Sequence, residues 1–248
     1  MPGRLVVIEG IDGSGKGTHS RLLVEWLRTR SRTATLIAFP RYGETVFGAT
    51  IARYLNGEFG SLDAVPPEFS ALLFACERFE SRGLLLDSLA SSDFVVCDRY
   101  VPSNLAHQGA RVPPDRRSGF CRWLERVEYE VFGVPRPDAV VWLDIDVEIA
   151  QQLVRRKGAR RYTALAADLH EADRRYLEQV RLVYASLAKQ QPGWIRIPVA
   201  TDQRLRTIDE VQAEIRQAVM AMAGNPMCVD ADSRGEQSPR LEQESEVK

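Results

Sequence analysis

The sequence predicts a three-layer α/β fold, a five-stranded parallel sheet flanked by helices on both faces. Short apolar runs alternate along the chain with longer stretches in which apolar residues recur at helical spacing. The runs are continuously apolar rather than alternating, as expected of central parallel strands buried on both sides. The first of them leads into a glycine-rich loop that opens a helix.

In chain order, Arg4 to Glu9 (RLVVIE) reads as the first strand, followed by GIDGSGKGT and a helix marked by Leu22, Leu23, Trp26 and Leu27. A second strand, Thr33 to Phe39, stops at Pro40; a third, FVVC at 94–97, runs into Asp98-Arg99-Tyr100 and a further helix. AVVWLDI at 139–145 is the fourth, and Trp194 to Val199 a weaker fifth. Helical stretches are expected near 66–90, 113–132, 147–156, 168–190 and 206–222. In a sheet of this kind ligands sit beyond the carboxyl ends of the strands.

Composition narrows the function class. Lys and Arg total 33 against 34 Asp and Glu, so at a formal charge of -1 no general basic field exists for nucleic acid, and any anion site is local. No stretch of eighteen apolar residues occurs, and the start of the chain lacks a secretory pattern, so no membrane partner is expected. Cys76, Cys97, Cys121 and Cys228 lie far apart without a CxxC pair, which reads as reduced thiols and a cytoplasmic location. From Asn225 to Lys248 six acids face three bases and apolar residues thin out, so residues 1–224 are expected to form the folded domain and 225–248 a disordered tail.

Gly10-Ile11-Asp12-Gly13-Ser14-Gly15-Lys16 fits GxxxxGK, the phosphate loop of the P-loop NTPase fold. Its glycines let successive N–H groups turn toward phosphate oxygens, and the following helix adds its positive end. Gly10, Gly13, Ser14, Gly15, Lys16, Gly17 and Thr18 are therefore the expected ATP-binding residues. Gly17 replaces the usual metal-binding hydroxyl, leaving Thr18, another oxygen or water to complete a Mg²⁺ shell. A GTPase, a motor ATPase and a small-molecule kinase all share such a loop, but no NKxD guanine-reading motif is present. Asp98 stands where a strand-end acid approaches Mg²⁺, with Arg99 beside it and Arg41 at the end of the preceding strand.

The blocks IEGIDGSGKGT, FPRYGE, LLFACERF and DRYVPSNLAHQG, in this order and spacing, resemble those of thymidylate kinases over about residues 4–222. The resemblance implies ATP and dTMP as substrates, Mg²⁺ as cofactor, and a homodimer with the 66–90 helix in its interface. It gives Asp12 the acceptor's 3′-hydroxyl, Arg41 the acceptor phosphate, Arg99 the phosphoryl group in transfer, and Asp98 the metal or its waters. Phe74 would stack on thymine while Arg78, four residues on and on the same helix face, donates to a base oxygen. Asn104 falls at the base-contacting position, and Phe39, His107 and Gln108 complete the acceptor site. A flexible lid is implied near 155–166. Because Gly13 rather than arginine follows Asp12, the lid would supply a catalytic cation, with Arg156 and Arg160 favoured over Arg155, Lys157 and Arg161.

His107 and His170 depart from the aromatic residues common in that family at these places. The expectation is that the pair packs around the deoxyribose, disfavours a 2′-hydroxyl and adds pH sensitivity. His19 reads as structural or exposed. Two rivals stay open at this point: a kinase for another pyrimidine monophosphate or a deoxynucleoside, and a catalytically silent nucleotide-binding regulator, the latter suggested by Gly17 and the altered histidines.

Overall fold

A computed structural model describes residues 2–156, 174–201 and 204–224. Its centre is one parallel sheet in the strand order β2-β3-β1-β4-β5, built from β1 (Arg4–Glu9), β2 (Ala34–Ala38), β3 (Phe94–Asp98), β4 (Ala139–Asp144) and β5 (Trp194–Pro198). The middle strand β1 lies between β3 and β4, with Val7 opposite Cys97 on one side and Val140 on the other. All of β4 is buried, as are residues 5–9 of β1, which is why these runs showed no alternation.

Nine α-helices are present among the described residues: α1 (Lys16–Thr29), α2 (Val46–Leu55), α3 (Pro67–Glu80), α4 (Arg82–Ser91), α5 (Val101–Gly109), α6 (Pro114–Glu125), α7 (Val147–Arg156), α8 (Arg174–Gln190) and α9 (Ile208–Gly224). Leu23 and Leu27 of α1, Leu105 of α5, Val180 and Tyr184 of α8 and Ile215 of α9 join the sheet's valines and isoleucines in one core. A smaller cluster of Ile51, Tyr54 and Leu55 fastens α2 beside α3. Ala200–Thr201 and Arg204–Leu205 form a two-stranded ribbon that the sequence did not suggest.

Three helical details differ from the sequence reading. The expected 66–90 helix is interrupted at Ser81, whose hydroxyl accepts from Arg41 and lies against Glu77. The 113–132 helix is α-helical only to Glu125 and continues as a π-helical turn, Arg126–Val131. Helix α2 was not anticipated, although Thr45 caps it by accepting from the Gly48 N–H at 2.9 Å. The lid and tail expectations fall on residues outside the described ones, apart from Arg155 and Arg156 at the end of α7.

His19, on α1, is 4% exposed and packs beneath the phosphate loop, where a Cβ on Gly15 would meet its Cδ2 at 3.1 Å. Gln212 of α9 donates through Nε2 to its Nδ1 at 3.0 Å and to its backbone carbonyl at 2.9 Å. Burial lowers its pKa from 6.5 to about 4, so in the folded protein it stays neutral where the unfolded chain would bind a proton. Stability should therefore fall as pH drops from 6.5 toward 4, by roughly 2–3 kcal/mol from this residue. The raised carboxyl pKa values of Glu9 and Glu77 act in the opposite direction, so the comparison that isolates the effect is wild type against His19→Gln. Denaturant unfolding at pH 7.5 and 4.5 should show a smaller acid loss in the variant.

Candidate active site

The phosphate loop links β1 to α1 and sits at the carboxyl edge of the sheet. Gly13 has φ +89°, and a Cβ there would stand 2.3 Å from the carbonyl oxygen of Ala150, so only glycine lets the loop rest on α7. Lys16, 7% exposed, donates to the carbonyl of Ile11 at 2.9 Å and lies 3.7 Å from the Asp12 carboxylate. Burial first, and the neighbouring Arg99 second, lower its pKa from 10.5 to about 8.

The end of β3 delivers the second set of charges. Arg99 adopts φ 67°, a left-handed conformation disfavoured for any residue with a Cβ and costing about 1–2 kcal/mol. Its guanidinium is held in place by Asp12 at 2.7 Å, Ser103 Oγ at 3.0 Å, the Gly10 carbonyl at 3.3 Å and His107 Nε2 at 3.4 Å. Beneath it, Glu9 is fully buried and accepts from the backbone N–H groups of Tyr100 and Ser103 at 2.9 and 3.0 Å. The hydroxyls of Ser103 and Tyr184 donate to its other oxygen at 2.6 and 2.8 Å. Glu9 thus caps α5, whose N-cap residue Tyr100 makes no side-chain cap. Burial pushes its carboxyl upward against the pull of Arg99 and these donors.

Asp98 ends β3 with an oxygen only 2.9 Å from where a Cβ of Gly17 would be. The missing hydroxyl of the phosphate loop is therefore matched by a close approach of the strand-end carboxylate to the first turn of α1. Among the described residues no group of three or more metal-ligating side chains occurs. Mg²⁺ needs fewer: one carboxylate with waters and nucleotide phosphates is a usual set, and Asp98 fits it.

A cavity of about 380 Å³ opens between these charges and the helices α3 and α5. Its lining includes Asp12, Gly13, Gly15, Lys16, Gly17, Phe39, Phe74, Arg78, Asp98, Arg99, Asn104, His107 and Gln108. Phe74 is half-buried and meets Tyr54 edge-on at 6.3 Å. Arg78, rather than occupying a solvated helix face, is 3% exposed and paired with the fully buried Glu128 through Nε, at 2.8 Å, and Nη2. The Asn104 amide donates to the Ala71 carbonyl at 2.9 Å and to Glu128 at 3.0 Å. Gln108 accepts from Ser70 and Arg111, both at 2.8 Å.

Several anticipated residues are placed elsewhere. The Arg41 guanidinium joins Glu44 at 2.7 Å and Ser81 at 3.2 Å and does not line the cavity, while its neighbour Tyr42 does. Ser14 and Thr18 belong to the loop and the first turn of α1 but not to the lining, and Gly10 contributes its carbonyl to Arg99. Arg156 is exposed at the end of α7; Arg160 and His170 lie outside the described residues. His107 is 6% exposed, and Tyr176 OH donates to its backbone carbonyl at 3.1 Å while lying 3.0 Å from its Nδ1. With its proton used, that hydroxyl accepts from Nδ1–H, which makes Nε2 the acceptor facing Arg99. Sequence reasoning missed Glu9, Tyr42, Ser103 and Glu128.

Comparison with known proteins decides the family. A family model described as Thymidylate kinase matches residues 8–215. The chain belongs to the thymidylate kinase family. It is 36% identical over 190 residues to the thymidylate kinase of Mycobacterium tuberculosis (strain ATCC 25618 / H37Rv), covering 77% of this chain and 87% of that one. With the thymidylate kinase of Bordetella petrii it shares 30% identity over 227 residues, 90% of this chain and 98% of the relative. A solved thymidylate kinase structure from Candida albicans superposes with a TM-score of 0.68 at 24% identity, covering 89% of this chain and 92% of that one, and shares the fold. This thymidylate kinase family member is accordingly an ATP-dependent phosphotransferase that binds nucleotides, and no helix among its described residues is long and apolar enough to cross a membrane.

A bound triphosphate should restore the proton that burial weakens on Lys16. Above pH 8 ATP binding is then expected to take up a proton, roughly three-quarters of one at pH 8.5, and to weaken as pH rises further. Calorimetry in buffers of different ionisation enthalpy measures this uptake; a buffer-independent heat at pH 8.5 contradicts it.

Proposed function

We propose that the cavity is the acceptor site at which this kinase passes the γ-phosphoryl group of ATP to dTMP, the base lying between α3 and α5 and the phosphates meeting at Lys16 and Arg99. The carrying observation is the polarity of the cavity's inner wall. Asn104 turns both hydrogens of its amide to Ala71 and Glu128, and among the described residues its buried Oδ1 has no partner. The buried Nε2 of Gln108 has none either. Arg78, Asn104 and Gln108 all line the cavity, and in this reading Arg78 and Gln108 serve the base as donors and Asn104 as acceptor. Thymine presents the complement: an oxygen, N3–H and an oxygen. Cytosine replaces N3–H by an acceptor and one oxygen by an amino group, leaving buried groups opposed or unpaired.

In the reaction an acceptor phosphate oxygen attacks the γ-phosphorus in line, and no covalent enzyme intermediate is needed. Lys16, the backbone of the phosphate loop and Arg99 neutralise the charge spread over the transferring group. Asp12 holds Arg99 and approaches Lys16 before nucleotides arrive, and it is the acceptor for the sugar's 3′-hydroxyl. Asp98, close against Gly17, would hold Mg²⁺ or its waters, and the bound ion would supply further neutralisation of the phosphates. Phe74 stacks on the base. His107, with Nε2 toward Arg99, stands where the deoxyribose joins the phosphate and disfavours a 2′-hydroxyl. Arg41 reaches the acceptor phosphate by leaving Glu44, and Arg156 and Arg160 supply further positive charge to the transferring group. Residues 1–224 act as one domain.

A homodimer is supported by apolar side chains left in water on α3 and α4, where Phe69 is 68%, Phe79 52% and Leu84 43% exposed. Free thiols at Cys76, Cys97 and Cys121 accord with a cytoplasmic location.

An ADP-release assay with dTMP, dUMP, UMP, dCMP and thymidine tests the assignment. Turnover is expected with dTMP, reduced about 10²- to 10³-fold by Lys16→Ala or Arg99→Ala. A preference for dCMP would overturn the reading of the wall, a preference for thymidine would overturn the assignment of a monophosphate acceptor, and binding of ATP or dTMP without turnover would favour a regulator. His107→Phe should shift the pH profile and the dTMP/UMP ratio together; if both stay fixed, its proposed role fails.

A further inference from the structure

We infer that Glu128 is a positioning residue that fixes which pyrimidine the acceptor site takes. The inference rests on the reading of the cavity as the base site.

Glu128 comes from the π-helical turn after α6, a segment that contributes no residue to the cavity lining. It is fully buried, and a carboxylate there needs charged or hydrogen-bonded partners. Its partners are the two groups that read the base. Arg78 meets it with both arms of its fork, a bidentate geometry that fixes the guanidinium plane. Asn104 Nδ2 donates to the same oxygen that receives Arg78 Nη2.

The consequence concerns the sense of an amide. Asparagine presents a donor and an acceptor of nearly the same shape, and rotation by a half-turn exchanges them. An ionised carboxylate accepts only, so Glu128 admits the NH₂ end of Asn104 and rejects the oxygen. The Ala71 carbonyl imposes the same sense from the other side. Asn104 Oδ1 is thereby left as an acceptor for N3–H of thymine or uracil. The same carboxylate holds Arg78 as a donor toward a base oxygen. One buried acid thus sets the sense of the Asn104 amide and the plane of the Arg78 guanidinium without touching the base.

Glu128→Gln tests this. Glutamine can turn its own NH₂ toward Asn104, which removes one of the two acceptors that fix the amide and leaves only the Ala71 carbonyl opposing its reversal, while Arg78 loses its charged partner. Expected is a fall in kcat/KM for dTMP of about 10²-fold with little loss for dCMP, so that the dTMP/dCMP ratio drops tenfold or more. A residue important only for packing would lower the melting temperature and leave that ratio unchanged, which would overturn the inference. Asn104→Ala serves as the control for the underlying reading. If it leaves dTMP and dCMP kinetics alone, the base does not lie on this wall; if it weakens dTMP while Glu128→Gln leaves the ratio unchanged, the wall is right and Glu128 does not set it. Should Glu128→Gln fail to fold, the wild-type side-chain amide resonances of Asn104 decide. Two slowly exchanging protons in the nucleotide-free protein support the clamp, and free exchange with solvent overturns it.

Discussion

The Arg99 guanidinium, lodged in a left-handed turn at the end of β3, is the contact on which the site depends. Four acceptors from two parts of the chain converge on it: the phosphate loop through Asp12 and Gly10, and α5 through Ser103 and His107. A residue in that backbone conformation persists only where its surroundings over-determine it. The surroundings are anchored in turn by Glu9, which fixes both the start of α5 and the Ser103 hydroxyl from within the sheet. The position of this cation is thus set jointly by the phosphate loop and by the core through Glu9.

Charge balance follows the same plan. Lys16 is buried and Arg99 partly so, their mutual repulsion contributes to the lowered Lys16 pKa, and Asp12 stands between them as a resident anion. The arrangement is satisfied without nucleotide and is still prepared for phosphate: incoming oxygens find donors already oriented, so little reorganisation remains for the reacting state. On the base side a second buried acid, Glu128, orients Arg78 and Asn104 in the same manner. Glu9 beneath the phosphate half and Glu128 beneath the base half are buried acids outside the cavity lining.

The strands and the phosphate loop were readable because their causes are local: a run of buried β-branched residues and a glycine pattern that backbone geometry demands. Arg99, Phe74, Arg78, Asn104 and Gln108 came from the family's motifs, and the structure gathers them around one cavity. What escaped the sequence was decided at a distance. Glu9 and Glu128 look like ordinary acids on the page; only the partners that fold over them, Ser103 and Tyr184 for one and Arg78 for the other, make burial tolerable. Arg41 and Tyr42 share one turn, and which of them faces the cavity is settled by Glu44 and Ser81, which claim the arginine. Helix α2 was obscured by Gly48, although Thr45 followed by Ile51, Tyr54 and Leu55 carried a readable cap and apolar face.

Crystallographic difference density from the protein soaked with dTMP tests the central claim most directly. The account predicts the thymine ring against Phe74 with N3 at hydrogen-bonding distance from Asn104 Oδ1, and the phosphate beside Arg99. Density for the nucleotide away from the α3–α5 wall, or with its phosphate remote from Arg99, would contradict it.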